Sequence, residues 1–283
     1  MSFKSNLNLI SIFYIIYASN VFASSEIEES TYLHLSSFSR INDEQQKQAL
    51  NRLMDINAAC SEIEKYVPKQ SLCLFLGRSV AWFAEMMHER QRLNLNFKTS
   101  CDWKTIHFSG GSAIEDLDSN LYTPLQFEGY KSYLESEHNI TADSLLGYPG
   151  GIVLIDFIMM GRTMTHFVQL LNDLVADKNQ NLKISTIDIS FTSNYRSDFD
   201  HRDLNPVPRQ IIVPERTMNP LIHAKGLNDI GKDNCLVCPL KPNQWILWKE
   251  VLQAFVPTEK AMRMKKSISY FLKHYGEDIS LKI

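Results

Sequence analysis

The chain has 283 residues, of which 44% are hydrophobic and 22% are charged, and its formal net charge is -3. This composition allows a full hydrophobic core and excludes a disordered or low-complexity chain, and no repeat of about 20 to 50 residues indicates a solenoid or a propeller. Because 29 basic residues stand against 32 acidic ones, there is no basic excess for a phosphate backbone, and we expect no nucleic-acid partner.

The first 23 residues have the layout of a signal peptide. Lys4 precedes an apolar run at 9–17, and Val21-Phe22-Ala23 places small residues where a signal peptidase cleaves. The run is shorter than the roughly 20 residues that cross a bilayer, so we favour cleavage over an uncleaved anchor or a first buried helix. The mature chain is expected to be secreted or periplasmic, with no membrane contact after cleavage. The oligomeric state is open.

Five cysteines fit an exported protein without requiring export. Cys235 and Cys238 are the only close pair, and an oxidising compartment would favour a disulfide between them. Inert thiols are the second possibility. A zinc site is the third, and it would need two further ligands, such as His201 and His223. The sequence by itself assigns no metal ligands.

Hydrophobic periodicity predicts alternating helices and strands along the chain. The clearest helix start is Thr123-Pro124-Leu125-Gln126, which combines an N-cap Thr, Pro at the first helical position and Gln at the third. Helices are predicted at 43–56 (continuing toward 65), from Thr123 to about 137, at about 243–255 and at about 258–274. Two further helices are indicated by apolar stripes, one of Val80, Trp82, Phe83, Met86 and Met87 and one of Met164, Phe167, Val168, Leu171 and Leu174. The predicted strands are 71–76, 105–108, 152–157 and 183–191.

The strands at 71–76 and 152–157 are nearly continuous apolar runs, which is typical of strands buried on both faces. We therefore predict an α/β fold: an open, mainly parallel sheet with helices on both faces and additional helices at the N- and C-terminal ends. The predicted organisation is a signal peptide (1–23), an N-terminal helical segment (24–69), a core (70–192), and a hood-like loop region with C-terminal helices (193–283).

Two strand-to-helix turns carry candidate anion-binding residues, because open parallel sheets bind ligands beyond the carboxyl ends of their strands. The first is Gly77-Arg78-Ser79, with a flexible glycine, a forked cation and a hydroxyl that can cap the next helix. The second is 159–163, where amides around Gly161 and the hydroxyl of Thr163 can wrap a phosphate. Asp156 ends the strand before it and can accept hydrogen bonds from hydroxyls, hold a hydrated Mg²⁺, or serve only to cap a helix or pair with an arginine.

Two stretches, 74–87 and 153–164, resemble the type I phosphoribosyltransferases, closest to the hypoxanthine-guanine type. They are similar to the strand, pyrophosphate loop and following helix of that family, and to its acidic strand end with the phosphate loop. The resemblance spans about 70–192 and implies a phosphoribosyltransferase-like fold. The substrate of that family is phosphoribosyl pyrophosphate (PRPP), and the resemblance implies that Asp156 is the catalytic residue that contacts its ribose hydroxyls. It implies that the 5′-phosphate is bound by Met160, Gly161, Arg162 and Thr163, and the pyrophosphate by Gly77, Arg78 and Ser79. Mg²⁺ is implied only if PRPP is bound.

The chain departs from that family at three positions. The first acid of the motif is Ile155, and Met159 and Met160 stand at loop positions that are hydroxyl-bearing or acidic in the family, so no general base is evident there. Three hypotheses follow: a glycosyltransferase that moves phosphoribosyl from PRPP to a base with release of pyrophosphate, a non-catalytic nucleotide or phosphosugar binder, and an exported structural protein on a decayed scaffold. An enzyme with this signal peptide would meet PRPP, a cytosolic metabolite, only if it were delivered into another cell or if the signal-peptide prediction were wrong.

Overall fold

The computed structural model of the protein describes residues 43–95, 100–108, 122–157, 162–190, 206–214, 217, 236–238, 240–257 and 259–280. The predicted signal peptide and the two candidate zinc ligands His201 and His223 lie outside these residues. Among the helices that are described, none has the length and apolar character needed to span a bilayer.

Helices and strands alternate through the first two thirds of the described chain. The strands are β1 (Leu72–Leu76), β2 (Asp102–Ile106), β3 (Ile152–Asp156), β4 (Ile184–Ser190) and β5 (Arg209–Ile212). The helices are α1 (Asp43–Tyr66), α2 (Ala81–Arg92), α3 (Pro124–His138), α4 (Ala142–Leu146), α5 (Arg162–Val175), α6 (Trp248–Ala254) and α7 (Glu259–Ser280), with short 3₁₀ helices at Ala176–Lys178 and Pro242–Leu247.

The five described strands form one open sheet in the order β2-β1-β3-β4-β5, and every neighbouring pair is parallel. All five residues of β1 and all five of β3 are buried, because each strand lies between two neighbours and beneath helices on both sides. The predicted α/β class with an open sheet is confirmed. The sheet is parallel throughout these strands, an arrangement that two-residue hairpins cannot connect.

Helices α1, α2 and α7 cover one side of the sheet, which we call the first face. Alternate strand residues such as Cys73, Phe75 and Val153 point into this layer and join the apolar side chains of the three helices in one buried cluster. The other strand residues, such as Leu74 and Leu154, point to the second face, where α3, α5 and α6 cover them. The side-chain alternation of each strand therefore divides the core into two layers.

A buried ion pair joins α1 to α2 within the first layer. The Arg90 guanidinium donates to Glu64 Oε2 at 3.0 Å, to Ser61 Oγ at 2.8 Å, and to Asn57 Oδ1 at 3.0 Å. The side chains of Arg90 and Glu64 are only 7% and 6% exposed. A charge at that depth is tolerated when it is paired and hydrogen-bonded, so these four residues fix how the two helices cross.

The predicted capping of α3 is confirmed. Thr123 is the N-cap, its hydroxyl accepts from the Gln126 amide, and the Gln126 side chain accepts from the Thr123 amide at 2.8 Å. The predicted helix at 43–56 runs on to Tyr66, and that at 243–255 is a 3₁₀ turn followed by α6. The strand predicted at 105–108 begins three residues earlier and ends at Ile106.

Two elements were absent from the sequence prediction. Helix α4 has only five residues, between the N-cap Thr141 and Gly147. Strand β5 has four residues, and three of them are exposed. It lies in the range 193–283 that was predicted to be loop and helix, yet it pairs with β4 and extends the sheet. Short elements and half-exposed edge strands lack the apolar runs that identify buried ones.

Candidate functional site

The carboxyl ends of β1 and β3 form the switch point of the sheet. After β1 the chain enters α2, which packs on the first face, and after β3 it reaches α5, which packs on the second face. A crevice opens where connections leave neighbouring strands in opposite directions, and ligands of open α/β sheets bind in such crevices. The two segments selected from the sequence follow these two strands.

The turn after β1 is built around Gly77. Its N–H donates to the Ile106 carbonyl at 3.0 Å, and its φ is +72°. A Cβ at this position would lie 2.7 Å from the Phe108 carbonyl oxygen. Both the left-handed backbone and the missing side chain are therefore required, because the turn rests directly on the backbone that follows β2.

Helix α2 begins immediately after this turn. Its N-cap is Val80, which makes no side-chain capping bond, so the Ser79 hydroxyl, which could cap a helix, does not occupy the capping position here. Among the described residues, the amides of Ser79 and Val80 donate to no backbone acceptor, while the Phe83 amide bonds to the Val80 carbonyl at 3.0 Å. Arg78 is exposed and Ser79 is half-buried. The start of a twelve-residue helix with unpaired amides therefore borders the crevice.

The turn after β3 is described only at its two ends. Met160 and Gly161, two of the predicted phosphate-binding residues, lie outside the described residues. Arg162 is the first residue of α5, and its side chain also lies outside the description. Thr163 follows in the first helical turn and is half-buried. The predicted phosphate site therefore coincides with the N-terminus of α5 where it is described.

Asp156 ends β3 and is 5% exposed. Its Oδ1 accepts from the Phe157 amide at 2.7 Å. Burial raises the pKa of Asp156 well above its usual range; the Phe157 hydrogen bond lowers it, and the nearby Asp188 carboxyl raises it again. Burial is the larger cause, so the carboxyl holds a proton at a pH where an exposed aspartate is ionised.

Asp188 is the site residue that sequence analysis missed. It lies on β4 directly opposite Asp156 in the strand register and is completely buried. Residues in register on parallel strands project to the same face, so both carboxyls lie on the second face of the sheet. The polar alternation of Thr186, Asp188 and Ser190 was the available signal, but it identifies a partner only when the strand order is known.

Ser190 extends this polar row by one step toward the carboxyl edge. It ends β4, is 1% exposed, and shares the face of Asp188 because it lies two residues further along the strand. Its Oγ has no hydrogen-bond partner among the described residues. A buried hydroxyl without a partner costs free energy in the absence of a ligand.

His107 follows β2 at the same edge of the sheet. Its amide donates to the Tyr133 hydroxyl at 2.8 Å, its carbonyl accepts from Tyr130 at 3.0 Å, and its Nδ1 accepts from the Cys238 amide at 3.1 Å. Burial lowers the pKa of His107 to about 4. The imidazole is therefore neutral near pH 7 with its proton on Nε2, and it anchors the Cys238 segment to the end of β2.

The cysteines give no sign of reactivity where they are described. Cys60, Cys73, Cys101 and Cys238 are buried, and burial raises the pKa of Cys60 to about 12, which disfavours the reactive thiolate. Cys235 lies outside the described residues, so the predicted Cys235–Cys238 disulfide does as well. Within the described ranges, no three side chains of His, Cys, Asp or Glu cluster as metal ligands.

No family model and no curated protein matches the chain. The resemblance to the phosphoribosyltransferases stays a prediction from residues 74–87 and 153–164.

Proposed function

We propose that this protein binds a phosphorylated sugar, the phosphoribosyl group of PRPP or of a nucleotide, in the crevice between the carboxyl ends of β1 and β3. The 5′-phosphate would lie at Met160–Thr163 and the pyrophosphate at Gly77–Ser79. The observation that carries the proposal is the strand order, because β1 and β3 are adjacent in the sheet although 75 residues separate the end of β1 at Leu76 from the start of β3 at Ile152.

Backbone groups supply most of the proposed phosphate contacts. The amides at the start of α2 and the N-terminus of α5 both border the crevice, and helix N-termini favour anions through unpaired N–H groups and the helix dipole. Arg78 is exposed beside the first of these and has the forked geometry that binds phosphate oxygens. Contacts of this kind do not depend on the acids that the family motif has and this chain lacks.

Binding is better supported than transfer of the phosphoribosyl group. Ile155 stands at the first acid of the family motif and is buried in the first core layer, so it offers no carboxyl to a ligand. If turnover occurs, the phosphoribosyl group moves from PRPP to a base, pyrophosphate leaves, and Mg²⁺ accompanies the substrate. A secreted or periplasmic binder of phosphosugars or nucleotides is the proposal consistent with the predicted signal peptide.

Calorimetric titration with PRPP and with ribose 5-phosphate, each with and without Mg²⁺, tests this proposal. We expect saturable binding, weakened about tenfold or more by Arg78→Gln and abolished by Gly161→Val, which crowds the predicted phosphate loop. Arg92→Gln is the matched control, because Arg92 is an exposed arginine at the other end of α2, paired with Glu89.

Two outcomes would contradict the proposal: no heat with either ligand, or equal weakening in Arg78→Gln and Arg92→Gln. Release of pyrophosphate on adding a purine base to the PRPP complex would establish transfer in addition to binding. Ribose without phosphate is expected to give no heat, because the phosphate contacts supply most of the affinity.

A further inference from the structure

Three oxygen-bearing side chains share one corner of the second face at the carboxyl edge. Asp156 and Asp188 are opposite each other in the β3–β4 register, and Ser190 follows on the same face of β4. Neighbouring strands lie about 4.8 Å apart, so two carboxyls in register are near enough to bind one ion. All three side chains are at least nine-tenths buried: Asp156 is 5%, Asp188 0% and Ser190 1% exposed.

We infer that Asp156, Asp188 and Ser190 form a binding site for a divalent cation of the Mg²⁺ or Mn²⁺ type. The inference deepens the proposed function: the cation would lie at the β3 end of the same crevice, beside the loop proposed for the phosphate. It rests on that function only for the phosphate oxygens that would complete the coordination. The three protein oxygens belong to the chain itself.

Burial is the first physical reason for a cation at this position. Two carboxylates side by side in a low-dielectric environment repel each other. A divalent cation between them would neutralise both. The second and independent reason is the Ser190 hydroxyl, whose Oγ is buried without a hydrogen-bond partner among the described residues. Coordination would give that oxygen a partner.

The donor set selects the class of metal. Carboxylate and hydroxyl oxygens are hard ligands, which favour Mg²⁺ and Mn²⁺ over zinc, the ion that prefers nitrogen and sulfur. Calcium commonly takes six to eight oxygens, whereas Mg²⁺ is usually held by one or two carboxylates together with water and substrate phosphates. Three protein oxygens on two strands fit the second description. Free coordination positions would then remain for water or for a phosphate oxygen.

Mn²⁺ uptake by the full chain without any phosphosugar tests the inference, followed by electron paramagnetic resonance and by competition with Mg²⁺. We expect one saturable Mn²⁺ per chain, weakened about tenfold or more in Asp188→Asn and in Ser190→Ala. Asp143→Asn is the matched control, since Asp143 is an exposed carboxyl on α4 paired with Lys178. Thermal unfolding of each variant establishes that it is folded.

Absence of saturable Mn²⁺ uptake by the wild type would overturn the inference. Equal affinities of wild type, Asp188→Asn and Ser190→Ala would also overturn it. If Asp188→Asn fails to fold, Ser190→Ala decides, because it removes only one hydroxyl. Arg78→Gln separates the two proposals, because this variant should still bind Mn²⁺ but should bind ribose 5-phosphate more weakly. If the wild type binds ribose 5-phosphate but takes up no Mn²⁺, the cation site alone is refuted.

Discussion

Replacing Gly77 by alanine tests how the crevice is built. The new residue would have to keep a φ of +72°, which costs an L-residue about 1–2 kcal/mol. Its Cβ would also lie 2.7 Å from the Phe108 carbonyl oxygen, and overpacking of this kind costs about 1–3 kcal/mol more. We therefore expect Gly77→Ala to lower the free energy of unfolding by about 2–5 kcal/mol.

Urea denaturation followed by tryptophan fluorescence suits this measurement, because all four tryptophans are buried. The same loss should lower the melting temperature by roughly 5–15 °C for a domain of this size. Widening of the turn should also displace the amides at the start of α2, so ribose 5-phosphate should bind more weakly to the folded variant than to the wild type.

Gly151→Ala is the control for strain without a ligand effect. Gly151 has a φ of +83°, and a Cβ there would lie 2.4 Å from the Lys183 carbonyl oxygen. It precedes β3, at the end of the sheet opposite the crevice, so this variant should lose stability comparably while binding ligand as the wild type does. A Gly77→Ala protein as stable as the wild type would refute the packing argument, and equal effects of both variants on binding would refute the placement of the site.

Two further predictions concern buried charges. Because the raised pKa of Asp156 makes the folded protein keep a proton that the unfolded chain releases near pH 4, the metal-free wild type should lose stability as the pH rises above that value toward the folded-state pKa. Asp156→Asn should show a shallower decline in urea denaturation over the same range, and parallel curves would count against the shift. Glu64→Gln should lower the free energy of unfolding by about 3–5 kcal/mol, because it leaves the buried Arg90 guanidinium without a counter-charge. Glu62→Gln is the control and should change the free energy of unfolding little, because the pair of Glu62 with Lys65 is exposed. Similar small losses in both variants would contradict the buried pairing.

The central strands could be predicted from the sequence because burial on both faces leaves a strong local pattern. The predicted 71–76 and 152–157 agree with Leu72–Leu76 and Ile152–Asp156 to within one residue at each end. The start of α3 was equally clear, since Thr123 and its neighbours carry the capping interactions in consecutive residues. Each of these signals lies within one short stretch of chain, where local physics decides the structure.

Edge elements could not be predicted in the same way. In β2, Trp103 and Ile106 are buried while Asp102 is exposed and Lys104 is half-buried. A strand with one neighbour keeps polar residues along its length, so it has no continuous apolar run and its bounds are hard to place. Strand β5 shows the extreme case, because only Ile211 of its four residues is buried.

The candidate site was predictable in part for a related reason. Gly77 and Asp156 were identified because each sits at a boundary between an apolar run and a helix. Asp188 was missed because its importance comes from lying opposite Asp156, and that depends on strand order and register. Neither follows from local periodicity, since a shift of one residue would send the carboxyl to the other face.

The remaining question is whether an acid at position 155, as in the phosphoribosyltransferase motif, would improve this site. The side chain of Ile155 is fully buried on the first face, in register with Phe75 and Ile187. We expect Ile155→Asp to cost on the order of 3–5 kcal/mol in urea denaturation, because it buries an unpaired carboxylate in the apolar layer, whereas Ile155→Val should cost about 0.5–1.5 kcal/mol. An Ile155→Asp protein that stayed stable and bound PRPP more tightly would refute this. In this chain the second carboxyl at the carboxyl edge comes from β4 because position 155 belongs to the core.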